Sequence, residues 1–304
     1  MLSVTFLGTG AACPSVERNV AGLAVQREGE TLLFDCGEGT QRQMMRYGVS
    51  FAFSEIFFTH YHADHMLGVT GLLRTLGLQD RTAPVVLYGP RGAQRYLGAA
   101  ISLGIERNRF PVEIIEVKPG DRLARGAYDV VVFETDHRAD TVGYALAEHV
   151  RLGRFHPERA RELGVPEGPL WGRLHRGETV ELPDGRRVSP AELVGAPRPG
   201  RTVVYTGDTR PCLGVVETAR FADLLIHEAT FGEEEHARAA ETGHSTAAQA
   251  AEVAREAGVR RLALTHISPR YGRDAPELLA EAKAVFPETV IARDGLTLDV
   301  PFAD

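Results

Sequence analysis

Short apolar runs recur along the chain, and most end in a turn signal. Residues 4–7 run into Gly8-Thr-Gly10, and residues 31–34 run into Asp35-Cys-Gly37. Runs bounded this way predict strands that deliver their turns to one edge of a sheet. The spacing predicts a helix over Thr40–Tyr47, a buried strand over 55–59, and further strands over 85–88, 112–117, 130–134 and 142–147. Past residue 201 the alternation resumes. Strands are expected over 202–206, 223–227 and 261–265, helices over 245–257 and 275–285, and two closing strands around 290–300. Strands alternating with helices of this length read as an α/β protein.

The pattern breaks between about residues 150 and 200. Pro157, Pro166, Pro169, Pro183, Pro190, Pro197 and Pro199 fall here among many glycines, with few β-branched runs. This stretch reads as an insertion or arm that adds little to the core. The expectation is one α/β domain spanning 1–304, interrupted by a Pro/Gly/Arg-rich arm at 150–200. The 304 residues, 43% apolar and 25% charged, are ordinary for a folded globular chain and exclude disorder as the main state. No stretch approaches the roughly 18 apolar residues a membrane span needs, and the first residues read as a strand rather than a signal peptide. Three scattered cysteines, at 13, 36 and 212, fit a reducing cytoplasm.

The densest chemistry lies in Ile56-Phe-Phe-Thr-His60-Tyr-His62-Ala-Asp64-His65. An apolar strand runs straight into a turn with four potential metal ligands. Alternation along a strand end sends His60 and His62 to the same side. Imidazole and carboxylate suit a borderline cation such as Zn²⁺ without any thiolate. Three later strands end similarly: residues 133–137 in Asp136-His137, residues 205–208 in Gly207-Asp208, and residues 263–266 in Thr265-His266. One strand-end histidine means little, but four such ends in one chain point to a metal centre.

This set of residues resembles the metallo-β-lactamase superfamily. The resemblance covers nearly the whole chain and implies an αββα sandwich with a dinuclear site at its edge. It assigns His60, His62 and His137 to one metal, Asp64, His65 and His266 to the other, and Asp208 as the bridge. A nitrogen ligand at His62 favours redox-silent zinc, two ions per subunit, over a diiron redox centre. Two such ions would activate a water and clamp an in-line displacement, with Asp64 also orienting the hydroxide. Asp35 is expected to accept a hydrogen bond from a ligand imidazole.

The fold hosts many hydrolases, so the metal site alone names no substrate. Residues 34–43, Phe-Asp-Cys-Gly-Glu-Gly-Thr-Gln-Arg-Gln, are similar to a stretch of the tRNA 3′-processing endonuclease family, ribonuclease Z. Ile226-His227-Glu228-Ala-Thr230 resembles that family's His-Glu-Ala-Thr motif, and Gly243-His244-Ser-Thr its downstream histidine. Cleaving a phosphodiester expels a ribose oxygen that needs a proton, and a histidine kept charged by a carboxylate can supply it. The resemblance makes His244 that acid and Glu228 its partner. Residues 164–177, with Trp171, Arg173 and Arg176, look like the family's flexible arm, which grips the tRNA elbow away from the cut. Arg186 and Arg187 add phosphate contacts, and Trp171 is read as having little core to enter. Pro14-Ser-Val16-Glu-Arg18-Asn19 follows the family's Pro-x-Lys-x-Arg-Asn, a loop that helps seat the acceptor end. Val16 in place of the lysine leaves open whether the cut falls after the discriminator base or after an encoded CCA.

The resemblance therefore implies a zinc-dependent endoribonuclease that removes the 3′ trailer from precursor tRNA, leaving a 3′-hydroxyl on the tRNA and a 5′-phosphate on the trailer. Short-form members are homodimers in which each arm serves the partner's active site. A metallo-phosphodiesterase for small esters and an RNA-binding protein with a structural metal are the competing readings. The formal charge of −7 argues at first against a polyanionic partner. Its distribution reverses that: residues 151–201 carry a net +3, leaving −10 elsewhere, and two zinc ions would return positive charge to the cleft. The expectation is binding of one shaped RNA at two places and little affinity for duplex DNA.

Overall fold

The computed structural model describes residues 1–105 and 107–303. Its chain forms two compact units, Met1–Ala147 with Thr202–Pro301, and Glu148–Arg201 with the C-terminal segment from Phe302. In the larger unit, β1 (Leu2–Gly8), β2 (Gly22–Arg27), β3 (Glu30–Cys36), β4 (Glu55–Phe57), β5 (Val85–Gly89) and β6 (Val112–Glu116) belong to one sheet. β7 (Arg122–Ala124), β8 (Tyr128–Glu134) and β9 (Val142–Glu148) begin the second. β10 (Val180–Glu181) and β11 (Arg187–Val188) form a separate hairpin in the smaller unit. β12 (Thr202–Tyr205), β13 (Leu224–Glu228), β14 (Leu262–Thr265) and β15 (Thr289–Ile291) complete the second sheet, while β16 (Thr297–Asp299) returns to the first beside β1. The orders are β16-β1-β2-β3-β4-β5-β6 and β15-β14-β13-β12-β9-β8-β7.

Period-two alternation explains why the sheets stack. Leu2, Val4 and Phe6 of β1, Leu32 and Phe34 of β3, and Leu224 and Ile226 of β13 share one buried cluster between the sheets. Their neighbours face outward to helices. Leu7 and Leu33 pack with α1 (Thr40–Tyr47) and α3 (Gly68–Leu78), and α4 (Ala93–Ile101) joins the same layer. Leu225, Leu262 and Leu264 pack on α7 (Leu213–Thr218), α9 (Ala247–Ala257) and α10 (Pro276–Val285). The result is the expected αββα sandwich. α9 is positioned by a Thr246/Gln249 capping box and stopped by Gly258 at φ 64°. Ala247, Ala250, Ala251, Ala254 and Ala257 on its buried face let it lie close to the sheet.

The strand expected over 55–59 stops at Phe57, because the Thr59 N–H leaves the ladder to donate to Asp35 Oδ1 at 2.8 Å. The structure also adds β2, β7, α3, α4 and α7 to the expected elements. α3 carries Gly68, Gly71 and Gly77, which lower helix propensity and hide it from a pattern reading. Among the described residues no helix is long and apolar enough to cross a membrane.

The smaller unit departs from the expectation of a coreless arm. α5 (Pro157–Glu162), α6 (Pro169–His175) and the β10–β11 hairpin enclose Ala160, Val165, Leu174, Leu182, Val188 and Leu193. Trp171 packs against this core, its ring tilted against Phe155 at 5.3 Å, with its Nε1–H donating to the Val165 carbonyl at 3.2 Å. The prolines obscured this, since the two at helix starts, Pro157 and Pro169, nucleate helices rather than break them. At the end of the unit, Arg201 pairs with Glu148 at 2.8 Å and lies over Phe302.

Beneath the strand ends, Phe57 stacks on Phe34 at 5.0 Å and on Tyr88 at 4.8 Å. Truncating Phe57 to alanine should lower stability by about 3–5 kcal/mol, measured by urea unfolding of the intact chain.

Candidate metal and phosphodiester-cleavage site

The candidate ligands all fall in loops just past the ends of strands in the larger unit. His60 follows β4, and His62 caps the short α2 (Ala63–Met66), which contains Asp64 and His65. His137 follows β8, Asp208 follows β12 and His266 follows β14. His60 and His62 meet through the loop rather than through strand alternation, with His60 Nε2 3.0 Å from His62 Nδ1. His137 Nε2 lies 3.4 Å from the same His62 nitrogen.

Asp208 is the centre of the arrangement. Its Oδ1 is 3.3 Å from both His65 Nε2 and His266 Nε2. Its Oδ2 is 3.6 Å from His60 Nε2 and 3.9 Å from His137 Nε2. Asp64 Oδ2 sits 3.3 Å from His266 Nε2 and accepts the Ala12 N–H at 2.8 Å. Two donor groups lie here, His60–His62–His137–Asp208 and Asp64–His65–His266, and a third, Asp208–His244–His266, overlaps them.

The ring nitrogens facing away from this centre are also held. His65 Nδ1 meets Asp35 Oδ2 at 2.8 Å, His137 Nδ1 meets the Gly243 carbonyl at 2.7 Å, and His60 Nδ1 meets Thr59 Oγ1 at 3.1 Å. Asp35 is fully buried and also accepts the Tyr205 hydroxyl at 2.8 Å. Two of these positions need unusual backbone. Asp35 and His266 are non-glycine residues at φ 54° and 56°, a conformation that clusters at functional sites. Gly243, at φ 84°, would be strained by a side chain, whose Cβ would stand 3.0 Å from His137 Nδ1.

The electrostatics test whether a cation fits. His65 Nε2 and Asp208 Oδ1 are buried, yet among the described residues neither finds an aligned hydrogen-bond partner. Leaving such groups unpaired costs roughly 1–3 kcal/mol each. Burial opposes charge on His65, but Asp208 and Asp35 outweigh it and push its pKa well above the ordinary value. Burial pushes Asp208 up, but His266 and His65 hold it well below the usual carboxylate range. His60, desolvated and next to His65, is driven well below its usual value and stays neutral, as a ligand must. These donors converge on a buried carboxylate that calls for positive charge, and the cluster fits a bound metal cation.

His244 and Glu228 lie beside these donors. Glu228 ends β13, fully buried, and accepts His244 Nδ1 at 2.7 Å and the Thr209 N–H at 3.0 Å. Burial lowers the His244 pKa, but the Glu228 charge and hydrogen bond raise it to about 9. His244 faces a cleft of about 260 Å³ shared with His62, Asp64, Asp208 and His266, with Arg238 and Arg270 at its mouth. The two arginines, each about half exposed, both reach toward Glu235. Neither was singled out in the sequence, because isolated arginines carry no spacing signal.

The other expected substrate contacts are placed differently. Arg18 is buried and its guanidinium is spent inside the protein, on Thr9 Oγ1 at 2.6 Å, the Ala292 carbonyl at 2.7 Å and the Arg273 carbonyl at 2.7 Å. The Asn19 N–H donates to Asp294 Oδ2 at 2.7 Å. These contacts anchor the loop, and Arg18 also lines a surface pocket with Val16, Pro269 and Arg270. In the smaller unit Trp171 is taken up by packing, while Arg173, Arg176, Arg186 and Arg187 are exposed. Arg173 pairs with Glu178 and Arg186 with Asp184.

An αββα sandwich with five imidazoles and two carboxylates at its strand ends defines the metallo-β-lactamase class of hydrolases. Residues 183–267 match the beta-lactamase superfamily domain, and residues 2–147 match the family described as anti-Pycsar protein Apyc1. The chain is 59% identical to a ribonuclease Z of Gemmatimonas aurantiaca, covering all of this chain and 97% of that one. It is 54% identical to a ribonuclease Z of Myxococcus xanthus, covering all of this chain and 99% of that one. The crystal structure of human tRNase Z, short form, superposes with a TM-score of 0.71 at 28% identity, covering 99% of this chain and all of that one. The chain belongs to the ribonuclease Z family and is an endoribonuclease of the metallo-β-lactamase fold.

Replacing Asp208 by alanine removes the carboxylate whose two oxygens face His60 and His137 on one side and His65 and His266 on the other. The D208A protein should keep its circular dichroism spectrum and lose bound metal from both groups, read by elemental analysis.

Proposed function

We propose that this endoribonuclease removes the 3′ trailer from precursor tRNA, using two zinc ions per subunit. The observation that carries the chemistry is the convergence of two donor groups on Asp208, beside a histidine held charged by a buried glutamate. The full-length likeness to proteins named ribonuclease Z and tRNase Z supports the substrate.

His60, His62 and His137 would hold one ion, Asp64, His65 and His266 the other, and Asp208 both. When bound, the pair supplies Lewis acidity to the phosphate and lowers the pKa of a nearby water. The chain's own residues do the rest. Asp64, fixed by the Ala12 N–H, is placed to orient the attacking water and accept its proton. The water oxygen bonds to phosphorus as the bond from phosphorus to the ribose 3′-oxygen breaks. His244 spends Nδ1 on Glu228, so Nε2 is the atom left to protonate the departing 3′-oxygen. The tRNA leaves with a 3′-hydroxyl and the trailer with a 5′-phosphate.

The smaller unit is the second binding place, its exposed Arg173, Arg176, Arg186 and Arg187 meeting tRNA phosphates. The protein works in the cytoplasm as a homodimer in which each arm serves the partner's site, and it has little affinity for duplex DNA.

Two experiments separate these roles. An H244A variant should keep its metal and lose about 10²–10⁴-fold in kcat on pre-tRNA. Its hydrolysis of bis(p-nitrophenyl) phosphate should change far less, since nitrophenolate leaves without a proton. Equal losses on both substrates would contradict the assignment of His244 as acid. Replacing residues 154–196 by a short Gly/Ser linker should abolish pre-tRNA cleavage and spare the nitrophenyl ester. Retained tRNA cleavage would favour a small-ester phosphodiesterase. Mixing that armless protein with H65A should restore tRNA cleavage if arms act across a dimer.

A further inference from the structure

We propose that Thr230 ties the proton-donating pair to the metal centre: its hydroxyl joins Glu228 to His266 and thereby sets the affinity of the ion held by Asp64, His65 and His266. This rests on the two-ion reading above. Thr230 Oγ1 lies 2.7 Å from Glu228 Oε2, 2.9 Å from His266 Nδ1 and 3.3 Å from His244 Nδ1. A threonine hydroxyl has one proton, and a carboxylate only accepts. Oε2 therefore takes that proton, as it also takes the Thr230 N–H at 3.1 Å. His244 already directs Nδ1 to the other glutamate oxygen, Oε1, at 2.7 Å. The lone pairs of Oγ1 are left to accept Nδ1–H of His266. That bond specifies one tautomer and leaves His266 Nε2 as a bare donor, 3.3 Å from both Asp64 Oδ2 and Asp208 Oδ1.

The same device stands on the other side of the site. Asp35 accepts the Thr59 hydroxyl at 2.9 Å, and His60 Nδ1 meets that hydroxyl at 3.1 Å. Each is a buried carboxylate–threonine–imidazole chain, with Glu228, Thr230, Asp35 and Thr59 all buried. Each carboxylate also holds a second imidazole, Asp35 that of His65 and Glu228 that of His244, and only the Glu228 chain reaches the proton donor. One glutamate thus orients a metal-facing imidazole and the proton donor at once. Thr230 is a positioning residue, acting on the ion through His266.

The test compares wild type with T230V, T230A and T230S, using metal content after gel filtration and zinc affinity by competition with a chromogenic chelator. T230V and T230A should each hold one ion as tightly as wild type, with affinity for the second falling about 10–100-fold. T230S, which restores the hydroxyl, should bind both ions as wild type does. Thermal melts followed by circular dichroism identify which variants are folded, and T230A keeps the test alive if the branched valine disrupts the site. The proposal is overturned if the folded valine or alanine variant keeps both ions at wild-type affinity. It is equally overturned if serine fails to restore binding, or if wild type itself holds a single ion. Failure of wild type to cut pre-tRNA would sink the substrate reading and leave these metal measurements standing, so the two failures are distinguishable.

Discussion

The site depends on one buried carboxylate placed between two groups of imidazoles. Asp208 turns one oxygen toward His65 and His266 and the other toward His60 and His137. Withdrawn from water, this arrangement is stable only when positive charge sits between its donors. Protons can supply part of that charge, and the upward push on His65 shows where they would go. Divalent cations supply it without disturbing the tautomers that Asp35, Gly243 and the two threonines impose.

The fold serves this constraint. Stacked sheets bring loops after β4, β8, β12 and β14 to one edge, and the buried Phe34–Phe57–Tyr88 stack supports them from below. The loops are rigid because each ligand is tied from behind. Tyr205 and Thr59 hold Asp35, Asp35 holds His65, and the left-handed turns at Asp35 and His266 aim them inward. The acid pair shares this scaffold. Glu228 is fixed by the backbone of Thr209 and Thr230, within the same loops that carry Asp208 and precede His266. Glu228 and the donors around Asp208 therefore share one hydrogen-bonded scaffold through Thr230 and His266.

Much of this was legible in the amino-acid pattern. Apolar runs ending in His or Asp marked many of the strands and His60, His137, Asp208 and His266, because strand periodicity and strand-end ligands are both local in sequence, while His244 entered through its motif. The helix Thr40–Tyr47 was found to the residue. What was not legible depends on distant contacts. Arg18 stood by motif in a loop that seats substrate, yet its guanidinium meets carbonyls more than 250 residues away in sequence. Trp171 looked stranded among prolines, but short elements that no periodicity reveals close a small core around it. α3 was obscured by its glycines. The role of Thr230 was invisible as well, since a threonine in a motif does not announce which two side chains its hydroxyl will join.

The most direct measurement of the central claim is anomalous diffraction at the zinc edge from crystals of the zinc-loaded protein. The account predicts two peaks per subunit, one on either side of the Asp208 carboxylate, one among His60, His62 and His137 and the other among Asp64, His65 and His266. A single peak, or two peaks that Asp208 does not bridge, would contradict it.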